Sequence, residues 1–290
     1  VRYLKKYLAA LARTHITLGT AVLRETLLPA LSPSAACATL NAINRIRFRG
    51  LRYRYDQDAG LYFVVEDQTR HYFANLGRGH WLYSRGIERR AQWLAKSYRL
   101  DLVSFEPDDI VLDCGANYAD LYRFLQDRIR PENYLSFEPG EDEHRCIQAN
   151  APRSRNYRLA LSDRDGTQAF YAIPAQGDGS LIDTGKATQV TDVPTRTVDS
   201  FLADEGVARV KLLKLEAEGH EPEILEGALG SLARIEYVAV DGGFERGKGK
   251  EETLSRLSNR LIGAGFEMVG YFQPWSRALF RNRQLGSQAR

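Results

Sequence analysis

The sequence holds 290 residues, 43% of them hydrophobic and 27% charged, a balance that fits one large globular domain with an appendage and excludes a disordered chain or a coiled coil. Its three cysteines, Cys37, Cys114 and Cys146, are too scattered for a disulfide framework or a zinc site, so a reducing, cytoplasmic setting is expected. Net charge is +3, yet residues 1–100 hold 17 Lys and Arg against 6 Asp and Glu; this basic front either complements the acidic remainder internally or meets an anionic membrane surface or acidic glycan, and no nucleic acid is expected.

In chain order, Leu4, Leu8, Leu11, Leu18 and Val22 recur at helical spacing and predict an amphipathic helix or two that Pro29 and the SPS at 32–34 end. That face packs on its own protein, on a second copy in a homodimer, or peripherally on the inner face of a membrane. Arg24 and Glu25 interrupt the best apolar run, so no membrane span is expected. Arg13 cuts VRYLKKYLAALAR short of a secretory signal, and a start at Val1 leaves room for residues ahead of it. Residues 51–75 alternate aromatic and polar residues between turn signals and read as a strand meander, followed by a helix in IERRAQWLAKSYRL.

From residue 108 short apolar strands alternate with helical segments, which predicts an α/β domain with a mostly parallel sheet. FEMVGYF and ALFRN are joined only by QPWSR, so the final strand is expected to be antiparallel. The expected regions are therefore 1–50 (helical, for dimer, partner or membrane contact), 51–100 (meander and linking helix, for acceptor or lid) and 101–290 (catalytic).

The strand IVLDC runs into a turn at Gly115-Ala116-Asn117-Tyr118-Ala119. A dinucleotide site needs further glycines, and a P-loop needs Gly-Lys-Ser or Gly-Lys-Thr, so phosphate-bearing cofactors are disfavoured. S-adenosylmethionine fits better. Its ammonium and sulfonium suit a carboxylate such as Asp113, and its ribose diol suits Glu138 at the tip of the next strand. Each has a plainer reading: Asp113 and Asn117 as helix caps, Glu138 as a solvated strand end.

GIERRAQWLAKSYRL, IVLDCGAN, FEP, ALSDRDG, TVDSFL, KLEAEGHEPEILEGA and LFRNR occur in an order that resembles the FkbM-type S-adenosylmethionine-dependent methyltransferases over residues 80–285. The resemblance implies a Rossmann-like class I methyltransferase sheet and O-methyl transfer to a sugar or glycan hydroxyl. It also implies Asp113, Gly115 and Asn117 at the methionine end, Glu138 at the ribose, and Ser162 and Asp163 near adenine. Two positions depart from the pattern: Ala119 stands for a glycine, and Glu216 for an Asp. Methylation of a small secondary metabolite, or a non-catalytic cofactor-binding scaffold in a glycan-assembly complex, are the alternatives.

Glu216 and Glu218 leave a buried strand, where acids must be used or paired, here with Lys214 or Lys211. They are candidates for the cofactor's ammonium or for catalysis. His220 is a candidate base for a hydroxyl proton or an ordinary surface residue. Asp241 with Glu216 is a candidate pair for a divalent cation, with Gly242 and Gly243 otherwise marking only a turn. Tyr83, Arg85, Glu88 and His80 are candidates for acceptor binding or, alternatively, a solvated cluster at a helix start.

Overall fold

The computed structural model describes residues 28–47 and 50–285. Leu4, Leu8, Leu11, Leu18 and Val22 lie outside the described residues. Among the described residues no helix is long and apolar enough to cross a membrane. The chain divides into two compact units, Val1–Gly86 and Ile87–Arg290.

The first unit contains helix α1 (Pro33–Arg47), strands β1 (Leu51–Asp56), β2 (Leu61–Glu66) and β3 (Thr69–Phe73), and helix α2 (Leu76–Tyr83). The SPS at 32–34 starts a helix, because proline is tolerated at a first helical position, where its missing N–H has no partner to lose; the helix it was expected to end lies outside the described residues. The meander is antiparallel in the order β1-β2-β3. Asn41 of α1 closes the β1 edge: its amide donates to the Tyr53 carbonyl and accepts the Tyr53 N–H, both at 2.8 Å. The inner face of the meander carries Tyr53, Val64, His71 and Phe73, all buried. Gly79 of α2 abuts Phe73, where an added Cβ would lie 2.2 Å from the ring.

The second unit runs α3 (Ile87–Ser97), β4 (Val111–Cys114), α4 (Asp120–Leu125), β5 (Tyr134–Phe137), α5 (Glu141–Asn150), β6 (Arg155–Tyr157), β7 (Ala160–Leu161), β8 (Gly166–Ile173), β9 (Asp178–Ser180), β10 (Gln189–Arg196), α6 (Val198–Asp204), β11 (Val210–Leu215), α7 (Glu221–Glu226), β12 (Ile235–Asp241), β13 (Phe244–Arg246), β14 (Glu251–Glu252), α8 (Leu254–Gly263), β15 (Phe266–Phe272) and β16 (Arg277–Asn282). Helix α3 belongs here rather than with the meander, because Ala91, Leu94 and Ala95 pack with Val111, Leu121 and Leu125.

Seven strands form the main sheet in the order β15-β16-β12-β11-β4-β5-β6. Neighbours from β12 to β6 are parallel, and β16 runs antiparallel to both β12 and β15, as the short QPWSR connection requires. Alternate residues feed the two faces. Leu112, Leu213, Leu215, Val238 and Val240 pack with Phe201, Ile224 and Leu257 of α6, α7 and α8. Val111, Leu212, Ala239 and Leu279 pack with α3, α4 and α5. A second, four-stranded sheet, β7-β10-β8-β9, is inserted between β6 and α6 and was not expected from the sequence.

Candidate active site

The carboxyl ends of β4, β5, β11 and β12 bring the acids together. At β4 the chain turns through three left-handed residues, Gly115 (φ +69°), Asn117 (φ +49°) and Ala119 (φ +61°). Gly115 is required, since a Cβ there would lie 1.8 Å from the Glu216 carbonyl oxygen. Ala119 is buried and holds its conformation at a cost of about 1 kcal/mol that glycine would avoid.

Glu138, at the end of β5, accepts the Asn117 N–H at 3.0 Å on one carboxylate oxygen and the Gly140 N–H at 3.1 Å on the other. Burial, helped by Glu143, pushes its carboxyl up to about 8, against the two N–H groups and Lys214. The Asn117 side chain donates to the Gly177 carbonyl at 2.9 Å.

Lys214 on β11 organises the turn. Its buried ammonium lies 3.0 Å from Asp113 and 3.0 Å from Glu216, and donates to the carbonyls of Cys114 at 3.1 Å and Gly115 at 2.8 Å. Burial works against its charge, but Asp113 and Glu216 outweigh it and hold Lys214 protonated. Asp113 is 1% exposed and also accepts the Tyr134 hydroxyl, so its carboxylate is committed to the protein's own groups. Burial raises it regardless.

Arg277, at the start of β16, donates to Glu216 at 2.6 Å, to Asp241 at 2.7 Å and to the Ser97 hydroxyl at 2.7 Å, with its guanidinium 4.3 Å from the Tyr98 ring centroid. Glu216 and Asp241 therefore meet on a guanidinium rather than framing a cation site, which corrects the expected divalent metal pair. Among the described residues no group of three or more His, Cys, Asp or Glu is placed to hold a metal. Burial works to raise Glu216, but Lys214 and Arg277 hold it well below the usual carboxylate range; its side chain stays 25% exposed.

Glu218 sits in a left-handed conformation, φ +50°. Its carboxyl is pushed well above the ordinary value by burial, then by the charges of Glu245, Asp178, Glu216 and Glu221. Glu245 on β13 is pushed up to about 8 by burial and by Asp241, Glu221 and Glu216. Arg246 brings the two elements together: its Cα lies 2.5 Å from where a Gly219 Cβ would stand, and it bonds the Gly219 carbonyl at 2.7 Å and both oxygens of Glu223 at 2.8 and 2.7 Å.

His220 is buried, with Nε2 3.0 Å from the Ser162 hydroxyl and Nδ1 3.7 Å from Glu223. Burial lowers its pKa and keeps it neutral near pH 7. The structure thus ties His220 to the loop of Ser162 and Asp163, where Ser162 also accepts from Gln168 at 2.7 Å and reaches Asp163 at 3.1 Å.

The expected acceptor cluster is dispersed. Tyr83 is sealed in the core of the first unit, its ring 4.8 Å from His71 and 5.6 Å from Phe73, which corrects its assignment to acceptor binding. His80 is buried there too, beside Tyr53. Arg85 is exposed on a turn of the first unit. Glu88 belongs to the second unit, where it pairs with Arg123 at 3.3 Å and accepts from Gln92 at 2.7 Å. Arg277, Tyr98 and Glu245 carry no local sequence signal. Arg277 pairs with Asp241 in the ladder, so it becomes visible only once β16 is known to lie beside β12.

A family profile for the methyltransferase FkbM domain matches residues 113–267. The chain is 26% identical over 182 residues to the 2-O-methyltransferase NoeI of Sinorhizobium fredii, covering 55% of this chain and 73% of that protein. It is 26% identical over 149 residues to the hexuronic acid methyltransferase AglP of Haloferax volcanii, covering 49% of this chain and 59% of that protein. Among solved structures, methyltransferase FkbM from Methylobacillus flagellatus superposes with a TM-score of 0.44 at 15% identity, over 67% of this chain and 50% of that one.

Proposed function

The chain belongs to the FkbM methyltransferase family, and from that premise we propose that it transfers a methyl group from S-adenosylmethionine to a hydroxyl of a sugar or glycan. The observation that carries this reading is Glu138, a carboxylate fixed at a strand end by two backbone N–H groups and closing no ion pair among the described residues, the acceptor a ribose diol needs. A second feature suits the donor's positive end. Among the described residues Lys214 and Arg277 are the cations that pair with Asp113, Glu216 and Asp241, so the cluster when ionised carries one surplus negative charge, a fit for an ammonium or sulfonium.

When bound, S-adenosylmethionine supplies a methyl carbon already activated by positive sulfur. The chain's own residues align the two substrates and take the hydroxyl proton. His220 is engaged with Ser162, and Glu216 with Lys214 and Arg277, which leaves Glu218 as the base: among the described residues no donor bonds its carboxylate, and burial with the neighbouring acids raises its affinity for a proton. Glu216 then serves the cofactor's ammonium end, held in place by Lys214 and Arg277. Ser162 and Asp163 remain assigned to adenine. The relative named for hexuronic acid supports a saccharide acceptor, and the one named for 2-O-methylation supports transfer to an oxygen. Three buried free thiols suit a reducing compartment, and we assign the protein to the cytoplasm.

The test pairs calorimetric titration of S-adenosylmethionine with transfer of a labelled methyl to a panel of oligosaccharides. Binding with transfer to a saccharide is expected. Absence of cofactor binding overturns the reading, and transfer only to small non-sugar hydroxyls overturns its acceptor.

A further inference from the structure

The outer face of the meander is built differently from its core face. Arg52 stands directly across from Val65, which stands across from Arg70; Arg54 stands across from Phe63 in the next row. Arg45 joins them from α1, one turn beyond Asn41, whose bonds to Tyr53 fix that helix along the β1 edge. These residues line one cleft of about 920 Å³, within the range of ligand sites, whose one acid among the described residues is Asp67. Among the described residues none of the four guanidiniums has an ion-pair or hydrogen-bond partner, whereas Arg90, Arg123, Arg155, Arg196, Arg246 and Arg277 of the second unit are all paired. Four unpaired cations facing one hollow repel each other, and an anionic occupant relieves that repulsion.

We propose that this cleft binds an anionic oligosaccharide carrying a carboxylate on successive sugar rings. Strand geometry sets Arg52 and Arg54 about 7 Å apart, and Arg52 and Arg70 about 10 Å apart. The guanidiniums therefore line a trough floored by Phe63 and Val65, which matches charges repeated along a chain better than one compact anion. Each planar guanidinium also fits a carboxylate through two parallel N–H donors. Nucleic acid fits less well, since the Phe63 ring is 8% exposed and covered by the Arg70 guanidinium at 5.6 Å, leaving no open platform for a base. A concave trough likewise does not lie flat on a bilayer. The site is independent of methyl transfer in its measurement and rests on the methyltransferase reading only for the choice of a saccharide.

The experiment measures binding of a labelled oligogalacturonate to the full chain, beside a neutral maltooligosaccharide of equal length, a single-stranded RNA and phosphatidylglycerol vesicles. Oligogalacturonate binding is expected, weakening about tenfold between low and physiological salt. Arg52→Gln with Arg54→Gln is expected to weaken it about tenfold or more, and Arg52→Lys with Arg54→Lys less, because charge is kept and only the bidentate fork is lost. S-adenosylmethionine affinity is expected to stay unchanged in both variants, so loss of cofactor binding in the parent chain counts against the proposed reaction and not against this site. Equal binding of the neutral sugar, no oligogalacturonate binding, tighter binding of RNA or vesicles, or an unaltered affinity in the Gln variant each overturns the proposal.

Discussion

The guanidinium of Arg277 meets the carboxylate of Glu216 at 2.6 Å, joining the first residue of β16 to the residue that follows β11. The same group bonds Asp241 and Ser97, so one side chain ties β11, β12 and α3 together around the site. Arg277→Gln strands two acids in a partly buried setting and is expected to cost about 3–5 kcal/mol in urea unfolding. Arg277→Lys is expected to fall between the two, because an ammonium restores charge but not the planar three-way bonding. An unchanged midpoint in the Gln variant would remove Arg277 from this role.

The turn after β4 makes opposite predictions for two small residues. Gly115→Ala places a methyl 1.8 Å from the fixed Glu216 carbonyl oxygen and is expected to abolish cofactor binding. Ala119→Gly relieves the left-handed strain but loses a buried methyl and loosens the unfolded chain, so stability is expected to change by less than about 1 kcal/mol, with cofactor affinity kept. Ala119→Val, β-branched at φ +61°, is expected to disrupt the turn. Calorimetry on the three variants separates these outcomes.

Glu138 gives a pH dependence with a definite sign. Its folded carboxyl sits at about 8 against an ordinary 4.5, so the native state holds a proton that the unfolded chain has released between those values. Its contribution to stability is full below about pH 4.5 and is lost as pH rises through about 8. Cofactor binding runs the other way, since a ribose diol donates to the ionised form. Affinity for S-adenosylmethionine is expected to rise by up to about tenfold per unit between pH 6.5 and 8, and Glu138→Gln is expected to bind weakly without that slope. Titrations at several pH values decide it; a slope retained in the Gln variant belongs to another group.

Much of this was legible in the sequence, and the rest failed for identifiable reasons. IVLDC, YLSF, VKLLKL and IEYVAVD are short apolar runs buried on both faces, which is how a parallel sheet writes itself, and the QPWSR connection forced the antiparallel β16. The inserted sheet was missed because β10 is mostly exposed and reads as polar loop. Asp113 and Glu216 were visible as acids at strand ends and Lys214 as a partner for Glu216, which it meets at 3.0 Å, but its equal approach to Asp113 was not, and Arg277 acquires its meaning from strand order. His220 was read by its ordinary pKa, while its burial against Ser162 is a tertiary fact. The helix that opens at Pro33 was not read from the SPS at 32–34, because proline ends one helix and begins another with equal ease.

Glu218 and Glu245 are coupled through charge, and that coupling is measurable in turnover. Glu218→Gln removes the assigned base and is expected to lower kcat about 10²–10⁴-fold with cofactor affinity kept. Glu245 acts differently, as a positioning residue: its carboxyl releases its proton at about 8, and the negative charge it then carries helps raise Glu218. Glu245→Gln deletes that charge, so the apparent pKa governing kcat is expected to move down while kcat on its plateau changes by less than about tenfold. Stability shifts alongside: the Glu245 carboxyl is raised to about 8, so its contribution is present below about 4.5 and disappears as pH rises through about 8. The Gln variant, which has no proton to lose, is expected to gain on the parent above pH 8 and not below pH 4.5. A kcat profile that keeps its apparent pKa in Glu245→Gln would break the link between the two acids, and full turnover in Glu218→Gln would return the base to another side chain.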